Sequence, residues 1–123
     1  VIRSYYRHAP VERFLDLERI EAPDISADAS SHAVRLGWDS TVNTEALRIT
    51  RLVLKRPDKP DVEVATFNSW RDIRKGSTEI KISFDLPDDV EPGNYRYFMM
   101  IDLMLPCNVS RGVTTRSNKF NIS

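Results

Sequence analysis

The chain has 123 residues, 41% of them hydrophobic, with eighteen basic residues against eighteen acidic ones. That is enough for one domain with a real core, and the zero net charge supplies no global field to draw it to nucleic acid or a membrane surface. A single cysteine, Cys107, excludes an intrachain disulfide and any two-cysteine redox or zinc motif.

Residues 1–10 mix Ile2, Tyr5 and Tyr6 with Arg3, Arg7 and His8. After Pro10, the spacing of Val11, Phe14 and Leu15 allows one or two helical turns; an irregular arm fits equally well. Residues 17–25 alternate as a short first strand that stops at Pro23, and 26–31 form a small polar loop. Residues 32–38 are a clear strand, with Val34, Leu36 and Trp38 on one face. A turn cluster at 39–44 leads to a third strand at 47–56. Its alternation is imperfect: Leu47, Ile49 and Val53 suggest one face, Leu52 and Leu54 the other, and a bulge would reconcile them.

Residues 57–61 turn the chain into a strand at 62–67, and 69–77 are polar. A strand at 78–86 follows, then the corner at 85–94, dense in Pro, Asp, Gly and Asn. The strand at 95–105 is the longest. A loop at 106–112 and a last strand at 113–122 close the chain. Turn signals every eight to twelve residues predict an all-β protein. The expected architecture is a two-sheet antiparallel β-sandwich of about seven strands, over residues 17–123. An N-terminal arm or short helix over 1–16 packs on that domain or links to it.

Two short motifs resemble known sandwiches. Val34-Arg35-Leu36-Gly37-Trp38-Asp39 resembles the second strand of fibronectin type III domains. Leu86 with Pro92-Gly93-Asn94-Tyr95 resembles the corner before their sixth strand, a feature shared with bacterial immunoglobulin-like domains. The likeness covers residues 17–122. It implies an immunoglobulin-like fold and a tendency to bind other macromolecules, with no particular ligand.

No catalytic constellation is legible. His8 and His32 share no metal-ligand spacing and are expected on surface or loop positions. Cys107 lies between Pro106 and Asn108, with nothing to place a base beside it. The acids Asp85, Asp88, Asp89 and Glu91 lack the calcium-loop register and read as a solvated corner. Phosphate loops, nucleophile elbows and HExxH motifs are absent, so neither cofactor nor metal is expected. Asn108-Val-Ser110 and Asn121-Ile-Ser123 fit the glycosylation triplet. Charge is uneven along the chain. Residues 48–59 carry five basic residues against Asp58, and 106–123 carry Arg111, Arg116 and Lys119 without an acid. Solvated strand ends account for such runs, and so does a basic edge that meets an acidic partner.

One pattern exceeds what the fold requires. If Tyr95, Tyr97, Met99, Ile101 and Leu103 face the core, then Arg96, Phe98, Met100, Asp102 and Met104 face outward. An outer face should be polar, yet three of these five are large and apolar. The candidates for its cover are the N-terminal arm, an identical subunit or a different protein.

The sequence therefore predicts a non-catalytic interaction or assembly module, an accessory domain of an extracytoplasmic or membrane-tethered protein. Phe98, Met100 and Met104 would form its contact stripe, with Arg96 and Asp102 as a polar rim. No nucleic-acid partner is expected. Direct membrane insertion of this segment is not expected either, since no apolar run approaches the roughly 20 residues that span a bilayer. The alternative is a small-ligand or carbohydrate-binding sandwich that uses Trp70, with Asn68 and Asp72 beside it.

Overall fold

The computed structural model of the chain describes residues 2–41, 46–66, 70–71 and 75–123. Its strands are β1 (Leu15–Glu21), β2 (His32–Ser40), β3 (Ala46–Lys55), β4 (Val62–Thr66), β5 (Gly76–Phe84), β6 (Gly93–Leu105), β7 (Val109–Arg116) and β8 (Phe120–Ile122). They form two antiparallel sheets. One has the order β1-β2-β5 and the other β4-β3-β6-β7, with β8 paired to the first residues of β6. The protein is an all-β sandwich, with its core between the inner faces of the two sheets.

Strand alternation builds that core. On β2, Val34, Leu36 and Trp38 point inward, and on β6 every second residue from Tyr95 to Leu105 is buried. The indole N–H of Trp38 is buried with no partner among the described residues. Two bulges keep irregular strands in register. In β3 the shift lies between Ile49 and Arg51, and the hydroxyl of Thr50 donates to the carbonyl of Met100 (3.0 Å). Leu47, Ile49, Leu52 and Leu54 thereby all reach the core. Val53, grouped with Leu47 and Ile49 by simple alternation, instead pairs with the outward Phe98. In β1 the shift lies between Leu17 and Arg19, and moves the inward set from Leu15 to Ile20 and Ala22.

Several boundaries differ from the sequence expectation for physical reasons. The helical segment is α1 (Ile2–His8), ahead of Pro10, and only a single 3-10 turn (Val11–Arg13) follows it. Phe14 and Leu15 do not continue a helix. Phe14 is buried in the core, and β1 begins at Leu15. The guanidinium of Arg111 donates to the carbonyls of Tyr6 (3.0 Å) and Ala9 (2.8 Å), at the end of α1 where carbonyls lack intrahelical partners. The last strand is broken in two at Ser117. Its buried hydroxyl accepts from the Tyr97 N–H (2.9 Å) and donates to the Asn118 carbonyl (2.7 Å). Asn118 then clamps Ala22, accepting from its N–H and donating to its carbonyl, both at 2.9 Å. This joins the end of β1 to the β7–β8 link, and so one sheet to the other.

His32 is not on the surface. It is the first residue of β2 and is 1% exposed. Its Nε2 lies 2.9 Å from the Pro23 carbonyl, and its Nδ1 lies 2.8 Å from the Tyr97 hydroxyl on the opposite sheet. A carbonyl only accepts, so Nε2 carries the proton and Nδ1 accepts from Tyr97. The rings of Phe84, Tyr97 and Phe120 surround the imidazole. Burial lowers the His32 pKa below its ordinary 6.5, against a smaller opposing effect of the Pro23 carbonyl. Burial likewise pushes the Tyr97 phenol far above its usual range. Both groups are therefore neutral.

At the corner before β6, the Tyr95 hydroxyl donates to the carbonyl of Glu91, four residues back, at 2.6 Å. This is the tyrosine-corner arrangement of sandwiches. Tyr95→Phe keeps the ring and loses that bond, so it should destabilise the fold by about 1 kcal/mol in a denaturant titration. An unchanged midpoint would reduce Tyr95 to packing alone.

The His32 pair predicts a pH dependence. The unfolded chain takes up a histidine proton near 6.5, whereas the folded chain resists it until lower pH. Stability from this site is therefore complete above 6.5 and declines as pH falls from there through the folded value. Unfolding free energies measured between about pH 5 and 7 should rise more steeply with pH in the wild type than in His32→Gln. Parallel curves would exclude His32 as the source.

Candidate functional site

The outer face of the β4-β3-β6-β7 sheet gathers most of the residues that the sequence singles out. β6 lies between β3 and β7, so its outward side chains form the middle row of this face. Arg96, Phe98, Met100, Asp102 and Met104 are all half-buried there. Register places Lys55 beside Arg96, Val53 beside Phe98, Arg51 beside Met100 and Arg48 beside Asp102. On the other flank Arg116 lies beside Phe98, Thr114 beside Met100 and Ser110 beside Met104. Val53 is almost fully buried although it points away from the main core. The face thus carries an apolar stripe of its own, shielded in part by long neighbouring side chains.

The N-terminal arm does not spend its apolar side chains on this stripe. Tyr6, Ala9, Val11 and Phe14 pack against the core. The rings of Tyr5, Tyr6 and Phe14 contact one another at centroid distances of 5.1 to 5.5 Å. Ile2 and Tyr5 are exposed. The arm is held by Arg111 of β7 and by the bond from the Thr41 N–H to the Phe14 carbonyl (2.9 Å).

Trp70 adjoins the same face. Arg71 exchanges both backbone hydrogen bonds with Leu47 at 2.8 Å, which holds Trp70 next to Arg48. The Arg48 guanidinium lies 4.5 Å from the centroid of the Trp70 ring and donates to the Asp102 carboxylate at 2.8 Å. The cation is thus engaged by an aromatic face and a carboxylate. The Trp70 side of the face and the β6 stripe, separate in sequence, meet through Arg48, which the sequence marks only as one member of a basic run. Trp70 remains 40% exposed. Asn68 and Asp72 lie outside the described residues.

At the corner end, the face falls into a groove of about 450 Å³ lined by Lys55, Arg56, Arg96, Phe98, Arg116 and Lys119, among others. No carboxylate among the described residues lines it. Lys55 Nζ lies 5.2 Å from the centroid of the Phe98 ring. Arg56 is engaged by the Pro60 carbonyl (3.0 Å) and the Asp89 carboxylate (3.2 Å). Lys59 approaches Glu91 at 3.8 Å. Two acids of the corner thus face cations of the β3–β4 turn. Among the described residues no cluster of three His, Cys, Asp or Glu side chains could hold a metal. Nor is any described helix long and apolar enough to cross a membrane.

Comparison with solved structures finds partial likenesses. A family 123 glycoside hydrolase from Clostridium perfringens is similar with a TM-score of 0.50 at 9% identity, over 89% of this chain and 27% of that one. β-Glucosidase 3B from Thermotoga neapolitana is similar with a TM-score of 0.47 at 17% identity, over 99% of this chain and 20% of that one. The CARDB domain of a Pyrococcus furiosus protein, solved with di-metal ions, has a TM-score of 0.41 at 13% identity, over 90% of this chain and 97% of that one. The chain spans about a quarter of the first hydrolase and a fifth of the second. These are likenesses of fold. No protein-family model and no curated protein sequence matches the chain.

Proposed function

We propose that this chain is a non-catalytic accessory domain of the fibronectin type III kind, and that it docks another protein or an identical subunit through the outer face of the β4-β3-β6-β7 sheet. The observation behind this reading is the row Phe98, Met100 and Met104 on the outward side of a central strand, flanked by Val53 and left by the arm. Each such side chain in water forgoes part of the about 1.5–3 kcal/mol that full burial contributes, and contiguous apolar surface marks contact sites. Met adapts its shape to a partner. Arg96 and Asp102, in the same outward register, supply the polar rim. The setting proposed with it is an extracytoplasmic or membrane-tethered protein.

Sedimentation of the purified chain reads the identical-subunit arm, as a concentration-dependent dimer. A photo-crosslinking amino acid at position 98 in the expressing cell reads the other, as a defined crosslinked band. Met100→Asp should abolish whichever association is seen, while changing the unfolding free energy by no more than about 0.5 kcal/mol. The docking reading fails if the chain is monomeric and position 98 crosslinks no better than position 81 on the other sheet. It fails equally if Met100→Asp leaves association intact.

A second reading rests on Trp70, one of the few large hydrophobic side chains that stay exposed. Here the domain binds a small ligand or carbohydrate against that ring. Trp38 is buried in the core, so a change of tryptophan emission during titration with a glycan panel would report Trp70. A flat titration removes this reading.

A further inference from the structure

The groove at the corner end of the same face has a chemistry of its own. Four of its cations, Lys55, Arg96, Arg116 and Lys119, meet no carboxylate among the described residues. They come from three adjacent strands and the β7–β8 link. Lys55 and Arg96 are cross-strand partners, and Arg116 faces Phe98 two residues further along β6. Like charges set side by side on a sheet repel, and folding alone gives no reason to collect them. The Nε–H of Arg96 is buried without an acceptor among the described residues. The Nε–H of Arg48 has the same status, so it is the cluster of cations, and not this donor, that sets the groove apart.

We propose that this groove binds a compact, multiply charged phosphate or sulfate ester. Size and charge select this class. The groove's volume of about 450 Å³ lies in the range of small-molecule sites. Cations spread over three strands match several oxyanion groups on one scaffold better than a single ion. Guanidinium groups address such oxygens with paired donors, while lysines act as point charges. Stacked nucleobases fit poorly. One face of the Phe98 ring already meets Lys55, and Tyr95 is buried with its hydroxyl committed to Glu91, so the described residues of the groove leave at most one ring face for a base. The groove shares Arg96 and Phe98 with the end of the docking stripe, but Arg116 and Lys119 lie outside that stripe, so their replacement tests the groove apart from the docking reading.

Calorimetric titration of the full chain with inositol hexakisphosphate, sucrose octasulfate and inorganic phosphate tests the proposal. Both esters should bind more tightly than inorganic phosphate, and affinity should fall as salt is raised. Arg116→Glu/Lys119→Glu should weaken ester binding by about tenfold or more, the factor one lost charge-assisted contact is worth. Arg3→Glu/Arg7→Glu, the same change of net charge placed on the exposed arm, should weaken it far less. A preference between the phosphate and sulfate esters identifies the source of the oxyanion and supports the site in either case. Equal losses in the two double variants would show only general attraction to a basic surface and overturn the proposal. Absence of ester binding, or tighter binding of a single-stranded oligothymidine at the same salt, would overturn it as well.

Discussion

The hydrogen bond between Tyr97 and His32 ties one sheet to the other across the core. His32 begins β2 in one sheet, and Tyr97 lies in the middle strand of the other. Antibody-type domains hold the two sheets together with a disulfide, which a chain with one cysteine cannot form. Here a neutral imidazole performs the connection, and its second nitrogen reaches the Pro23 carbonyl just beyond β1. Three groups from three segments are thereby fixed at one point, inside a shell of Phe84, Tyr97 and Phe120 rings. The arrangement works only while both side chains are uncharged. A proton on His32 would put a cation among aromatic walls and force the Tyr97 hydroxyl to turn its own proton elsewhere.

Fixing Tyr97 also fixes the phase of β6. Once Tyr97 points inward, strand period places Tyr95, Met99, Ile101, Leu103 and Leu105 in the core and sends Phe98, Met100 and Met104 outward. A slip of one residue would exchange the two sets. The bulge at Thr50 brings β3 into the same phase, and its side effect is to turn Val53 to the outer face. The apolar row on the outside is therefore tied to the register that the core demands. Its residues could be polar without cost to the core, since none of them belongs to it. Within the fold their apolar character is met only in part, by Val53 and by the long side chains beside them, which leaves all three half-buried.

How legible this was depended on the range of the forces involved. Periodicity marked β2, β5 and the inward set of β6 because each is a local pattern. The corner was equally visible, since Pro92, Gly93 and Tyr95 are neighbours in sequence. The bulge in β3 was suggested by broken alternation, yet the side taken by Val53 was not, because only pairing with β6 decides it. His32 was misjudged for the same reason. An isolated histidine in a polar stretch gives no sign of a tyrosine 65 residues away. Ser117 and Asn118 carried no signal either, although they stop β7 and tie it to Ala22. In the candidate site, the β6 stripe could be read from one strand. Its connection to Trp70 could not, because Arg48 joins them only after β3 and β6 have paired.

The charge pattern is the clearest case of folding dividing one sequence feature into two. The basic run at 48–59 and the acidic corner at 85–91 are far apart in the chain, and pairing of β3 with β6 brings their ends together. Arg56 then meets Asp89, and Lys59 meets Glu91. Arg48 and Arg51 find Asp102 and Glu63. Within the sandwich most of the run is thus compensated, as a chain of zero net charge permits. The residue is local: Lys55 joins Arg96, Arg116 and Lys119 around one groove. Exposed pairs contribute little to stability, so nothing in folding required those partners to be chosen or these to be omitted. Among the described residues these four cations meet no carboxylate, although the chain as a whole carries no net charge.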